Sequence, residues 1–140
     1  MPSIRSTSAV CLPMFLTLVL SGCAALSGPQ CAAGEEQRTS ELMYFGTAKP
    51  DGVVTSFEWE AFLQASVTPR FPRGFTAWSA AGQWQDGDGT VIREASYVLS
   101  LVHIADDGSE DAVRAIVSEY KVRFQQQAVL RVRNRVCIAF

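Results

Sequence analysis

The chain has 140 residues, with 12 lysines and arginines against 14 aspartates and glutamates, for a formal net charge of −2. That balance argues against nucleic acid as a partner, which would demand a basic patch. Hydrophobic residues make up 48% and charged residues 19%, which suits one folded domain with a single core.

The N-terminus reads as an address. Residues Met1–Gly22 carry one cation, Arg5, ahead of the apolar run Ala9–Leu20. That run is too short to span a bilayer and has the length of a secretory h-region. It ends in Leu20-Ser21-Gly22-Cys23, which looks like a bacterial lipobox. Small residues there fit the peptidase cleft, and the Cys23 thiol is the nucleophile that takes the lipid. The alternatives are an ordinary signal peptide cut near Ala24-Ala25 and an uncleaved anchor. Palmitate-type acyl chains contribute about 0.8 kcal/mol per buried CH₂, so a lipidated Cys23 holds the chain on a membrane. Ala24, standing where Asp marks inner-membrane retention, favours the outer membrane facing the periplasm. The next segment is rich in Ala, Gly, Ser, Glu and Gln. The expected organisation is a lipoprotein signal peptide at 1–22, a flexible tether at 23–40, and a domain at 41–140.

Two cysteines remain after Cys11 and Cys23, namely Cys31 and Cys137. In an oxidising compartment they form a disulfide or stay as two thiols.

Glu41–Gly46 is an apolar run closed by glycine, a first strand. Lys49-Pro50-Asp51-Gly52 is a turn. Thr55-Ser56-Phe57-Glu58 is a capping box that starts a helix, with Val54 placed to staple onto Trp59. The helix buries Trp59, Phe62, Leu63, Ser66 and Val67 and ends at Pro69 and Pro72. Gly74–Trp84 is a second strand with Trp78 and Trp84 on one parity. Asp86-Gly87-Asp88-Gly89 is a hairpin loop. It superficially suggests Ca²⁺ but lacks the ligands of an EF-hand.

Thr90–Glu94 leads into Tyr97–Ile104, the longest apolar run outside the leader and apolar on both faces. Such a strand belongs in the interior of a sheet. Asp106–Ser109 starts a second helix that runs to about Gln126, burying Val113, Ile116, Val117, Tyr120 and Phe124. Ala128–Ile138 is the last strand, alternating Leu130, Val132, Val136 and Ile138 against Arg131, Arg133, Arg135 and Cys137.

The order β-α-β-β-α-β is the ferredoxin-like plan: an α+β sandwich, antiparallel sheet order 4-1-3-2, both helices on one face. It sets the double-faced strand inside and the arginine-bearing strand at an edge, where charge deters unwanted pairing. It also puts the start of the first strand beside the end of the last, which makes a Cys31–Cys137 bridge geometrically sensible. The helices cover one side of the sheet only, yet the other side is apolar too. An exposed patch of that kind marks an interface or a ligand groove. A sheet-to-sheet homodimer and an apolar cleft are both expected from it.

Candidate chemistry is thin. His103 is the single histidine, an acid or base at a strand end or a packed ring. A histidine-based metal site is not expected, and no cofactor motif occurs. The candidate ligand-binding residues are Arg70, Trp78, Trp84, Arg93, Glu94, Tyr97 and His103, gathered around the open face and the loops at its ends.

Leu42-Met43-Tyr44-Phe45-Gly46, Thr68-Pro69-Arg70-Phe71-Pro72, Gly82-Gln83-Trp84, Arg93-Glu94 and Tyr120-Lys121 resemble an uncharacterised bacterial family, the domain of unknown function 3574. The resemblance implies a small exported or lipid-anchored domain and no catalytic residues. Three readings of function follow. The first is a non-catalytic, membrane-anchored module that binds a small molecule or an envelope partner. The others are a small cofactor-free enzyme of the dimeric α+β barrel type acting on an aromatic substrate, and a structural envelope component.

Overall fold

The computed structural model describes residues 30–140. The leader, Cys11, the lipobox and Cys23 lie outside the described residues. The elements are β1 (Glu36–Gly46), β2 (Ala48–Lys49), β3 (Gly52–Val53), α1 (Ser56–Phe62) continued by a π-helical turn (Leu63–Val67), β4 (Thr76–Gln85), β5 (Val91–His103), α2 (Asp107–Arg123) and β6 (Val129–Ile138).

Four strands form one antiparallel sheet in the spatial order β4-β5-β1-β6. β2 and β3 make a separate two-stranded ribbon around the Lys49–Gly52 turn. The doubly apolar segment of β5 lies between β4 and β1, as its composition requires. Period-2 alternation then sorts side chains between the faces. Met43 and Phe45 of β1 and Tyr97, Leu99 and Leu101 of β5 point one way and are buried against Trp59, Phe62, Val113, Ile116, Tyr120 and Phe124 of the helices. Aromatic rings fill this layer: Phe45 meets Tyr120 edge-on at 4.7 Å, and Trp59 stacks on Tyr97 at 4.8 Å.

β1 begins at Glu36, so residues 36–40, expected in the tether, belong to the sheet. They pair with β6 from Glu36↔Ile138 onward. Beside them the Cys31 and Cys137 sulfurs are bonded, with Cα atoms 5.4 Å apart.

The capping box forms at α1. The Thr55 side chain accepts from the Glu58 N–H, and the Glu58 carboxylate accepts from the Thr55 N–H at 2.8 Å. Lys49 and then Thr55 hold the Glu58 carboxyl down at about 2. A carboxyl lowered on folding contributes stability above its ordinary value, lost as pH falls through the folded one. Thr55→Ala is therefore expected to cost about 1 kcal/mol near neutrality. Glu58→Gln should melt below the wild type at pH 6, with the gap closing as pH drops from about 4.5 toward 2. Thermal melts across that range check both.

α1 ends differently from expectation. The Thr68 N–H bonds the Leu63 carbonyl at 2.9 Å, one residue further back than the α-helical ladder, so the last turn is π-helical. The wider turn still buries Ser66 and Val67. α2 starts on Asp106, whose carboxylate accepts from the Ser109 N–H at 2.7 Å. It stops at Arg123 because Gln125 turns left-handed, with φ 53°. No helix among the described residues is long and apolar enough to cross a membrane.

Candidate functional site

The face of the sheet away from the helices carries an apolar row of its own. The register sets Trp78 opposite Val98, Val98 opposite Tyr44, and Tyr44 opposite Leu130. The next row runs Thr76, Ser100, Leu42, Val132, hydroxyl on β4 and β5 and apolar on β1 and β6. Val98 is buried although no helix lies over it; Trp78 and Tyr44 flank it. Trp78 is 44% exposed, Trp84 53% and Leu130 61%. Val102 and Val132 are also exposed. This band joins all four strands and has no cover from the described residues.

β4 and β5 extend beyond the sheet. Gly46 is the last residue of β1 and pairs with Ser96, and the Thr47 N–H still donates to the Ala95 carbonyl at 3.3 Å, so Gly82↔Glu94 through Gln85↔Val91 form a two-stranded arm with no third strand beside it. Trp84 and Val91 are exposed on this arm. A shallow groove of about 430 Å³ runs along it, lined by Ala81, Gly82, Gln83, Arg93, Glu94 and Ala95. At the base of the arm Glu94 lies across Gly46. A Cβ there would meet Glu94 Oε1 at 2.5 Å, so glycine is what lets the carboxylate approach and accept from the Ala48 N–H at 3.4 Å.

The tip of the arm is a turn held by its own acids. The Thr90 N–H donates to Asp86 Oδ1 at 3.0 Å and to Asp88 Oδ1 at 2.9 Å. Gly89 takes the left-handed φ of 91°. The hydrogen bond from Asp86, then those from Thr90, hold the Asp88 carboxyl near 2. Among the described residues, the one group of three side chains close enough for an ion is Cys31, Glu35 and Cys137. There the two sulfurs are bonded to each other.

The seven expected ligand-binding residues do not converge. Trp78 and Trp84 lie on the open face, and Glu94 has their parity. Tyr97 points the other way, stacked on Trp59, with its hydroxyl donating to the Val54 carbonyl at 3.3 Å. His103 shares the Tyr97 parity and is buried beside Phe71. Arg93, opposite Gln83, also has the helix-side parity. Arg70 straps the π-turn to α2: it donates to the Ser66 carbonyl at 2.7 Å and pairs with Glu119. The physical reason is the alternation of β5 itself, since residues 97 and 103 share a side with Leu99 and Leu101. Tyr44, Leu42, Leu130 and Val132 were missing from the expected set, though their even parity on the two flanking strands was visible.

A second polar group lies under α2. Glu41 is fully buried, and its carboxylate accepts from Arg131 at 2.7 and 3.3 Å. Arg131 also donates to Glu110 at 3.0 and 3.2 Å, and Arg133 reaches Glu110 at 2.8 Å. His103 Nδ1 donates to the Ile104 carbonyl at 2.6 Å, while Nε2 lies 3.8 Å from Glu41 and makes no hydrogen bond. The hydrogen bond from Arg131, then its charge and those of Arg133 and Arg114, holds the Glu110 carboxyl below its ordinary value. Every carboxylate oxygen here already faces a guanidinium. The carboxylates and guanidinia clamp β1, β6 and α2 together, and His103 Nε2 is the atom of the cluster left without a hydrogen bond.

A family model described as "Protein of unknown function (DUF3574)" matches residues 40–140. No curated protein matches the chain. Among solved structures, a phage SAM lyase in complex with S-methyl-5'-thioadenosine superposes with TM-score 0.54 at 13% identity, over 80% of this chain and 95% of that one. The same phage enzyme in its apo state gives TM-score 0.53 at 15% identity, over 81% and 97%. At such identity the likeness is one of fold.

Proposed function

The chain belongs to that family of unknown function, and with no reaction to inherit from it we propose a non-catalytic, membrane-anchored binding module that works through its open sheet face. One observation carries this reading. A four-stranded apolar surface, with Trp78 and Trp84 about half exposed at its β4 side, has no cover of its own, and soluble domains seldom leave such a face unused. A planar or aromatic small molecule, or an apolar patch on an envelope partner, fits rings and branched side chains standing on a flat sheet. A sheet-to-sheet homodimer would use the same surface.

The leader and Leu20-Ser21-Gly22-Cys23 support the anchor, with lipid on Cys23 and the domain facing the periplasm from the outer membrane. The succession of elements supports a ferredoxin-like plan.

The test is uptake of an apolar fluorescent probe, anilinonaphthalene sulfonate, by the natively folded chain. We expect binding that Trp78→Ala with Leu130→Ser lowers at least five-fold. Leu130 is mostly exposed and Trp78 about half exposed, so the melting temperature should fall modestly and the variant stay folded. A native chain that takes up no probe, or takes it up equally in the variant, overturns the reading.

A second reading is a small cofactor-free enzyme, favoured by the fold shared with the phage SAM lyase. Calorimetric titration with S-adenosylmethionine and S-methyl-5'-thioadenosine separates the two. Heat on binding followed by turnover supports the enzyme, and flat titrations remove that substrate class. A purely structural envelope role predicts neither probe nor nucleoside binding.

A further inference from the structure

The outer edge of β4 is the least guarded part of the molecule. β4 closes one side of the sheet, and Thr76–Gln85 contains no charged side chain and no proline. Edge strands are ordinarily blunted by charge, proline or a bulge, because their unpaired N–H and C=O groups recruit another strand. The opposite edge, β6, carries Arg131, Arg133 and Arg135. β4 has no such device.

The direction of its free groups follows from the hairpin. The Asp86 N–H donates to the Thr90 carbonyl, so residue 86 turns its backbone toward β5. Inward and outward residues alternate along an antiparallel ladder, and the register holds from Gln85↔Val91 to Thr76↔Ser100. Ala77, Ser79, Ala81, Gln83 and Gln85 therefore present their N–H and C=O to the free edge.

We propose that β4 pairs antiparallel with β4 of a second copy about a two-fold axis at Ala81, merging two sheets into one. Outward residues must meet outward residues, which puts the axis on a residue rather than between two. With the axis at Ala81, Ser79 faces Gln83 and Ala77 faces Gln85 of the other copy. The same register sets Trp78 opposite Trp84, on the open face, at the positions between hydrogen-bonded pairs where side chains stand closest. Moving the axis one residue either way sets Trp84 against Thr76 or Ala80 and loses both ring pairs.

Charge agrees with this register. Continued past the strand ends, this register brings Asp86 of one copy to Thr76 of the other and Asp88 to Gly74, next to Arg73. Arg73 is exposed, and among the described residues it makes no ion pair. An acid thus comes within one residue of a base at each end of an otherwise uncharged seam. A second copy satisfies strand, rings and charge together, through one self-complementary surface.

The inference rests on the edge of β4 and not on the ligand reading above. It is tested with the full-length chain in bacterial membranes, carrying Ala81→Cys and oxidised before a non-reducing gel. Cys31 and Cys137 are already bonded. Residue 81 faces itself across the axis at a distance a disulfide spans, so most of the protein should run as a dimer, while Ser118→Cys on α2 stays monomeric. Ser79→Cys and Gln83→Cys chains should cross-link when co-expressed and not singly. Ala81→Lys, at an exposed position, should abolish the dimer in light scattering and leave the melt within a few degrees of wild type. Three results overturn the proposal: no dimer at residue 81, equal cross-linking at Ser118, or a dimer captured through Val132→Cys on the open face instead. A dimer joined at residue 81 whose open face takes no probe leaves this inference standing and removes the binding reading. Probe uptake by a monomer does the reverse.

Discussion

Replacing Cys137 with serine is expected to lower stability by about 2–5 kcal/mol and the melting temperature by roughly 10 °C or more. The bridge joins residues separated by 106 positions. Chain-entropy arguments put such a closure on the order of 4–5 kcal/mol, with native strain and residual denatured structure reducing what is measured. The location adds a local effect. Residues 36–38 of β1 pair with β6 alone, because the β5 ladder starts at Thr39↔His103. Without the bridge that end of β1 is a two-stranded extension, and such extensions fray. Cys31→Ser, Cys137→Ser and the double variant should therefore melt together, all below the oxidised wild type. Hydrogen exchange should lose protection at residues 36–38 before the core of β5. Melting temperatures equal to the oxidised protein in all three would show that the bridge carries no stability.

How legible this was in the sequence differs from element to element. The β5 interior strand could be read because Val98, Leu99, Leu101 and Val102 are apolar on both parities, which only a covered strand tolerates. The two helix starts could be read because Thr55 with Glu58, and Asp106 with Ser109, are local hydrogen-bonding pairs that need no tertiary partner. The start of β1 was hidden. Gln37, Arg38 and Ser40 are polar because β1 is paired there but thinly covered, and composition alone made them look like tether. The π-turn at Leu63–Val67 was hidden too, since a 3.6-residue period has no mark for one widened turn. The residues expected around the open face divide by parity. Trp78 and Trp84 share one parity and lie on the open face, whereas Tyr97 and His103 share the parity of Leu99 and lie on the helix side. The alternation along β5 separates the two pairs. Glu41 gave a weaker signal: its parity is that of Met43 and Phe45, which placed a carboxylate in the core and called for a cation on a neighbouring strand.

That cation is Arg131, and removing it is expected to produce the other large loss. Arg131→Ala should cost about 3–5 kcal/mol, because it leaves a fully buried carboxylate without the cation that compensates its desolvation. The reverse change should cost less. Glu41→Gln keeps the shape, and Arg131 retains its two bonds to Glu110. Replacing both Glu41 and Arg131 with methionine should restore most of the loss, since exchanging a buried ion pair for apolar side chains of similar volume is often close to neutral. The ordering single arginine variant, then single glutamate variant, then double variant is the signature of a desolvated charge. Simple loss of contacts would make the double variant the worst of the three. The acid limb gives an independent check. The Glu110 carboxyl is lowered chiefly by Arg131, so its contribution is complete above its ordinary value of about 4.5 and disappears as pH falls below it. Arg131→Ala removes the largest cause of that lowering. Urea titrations from pH 6 to pH 3 should then show a shallower fall in stability for the variant than for the wild type. A double variant less stable than Arg131→Ala, or parallel acid limbs, would mean that this cluster stabilises the fold by packing and not by pairing charge.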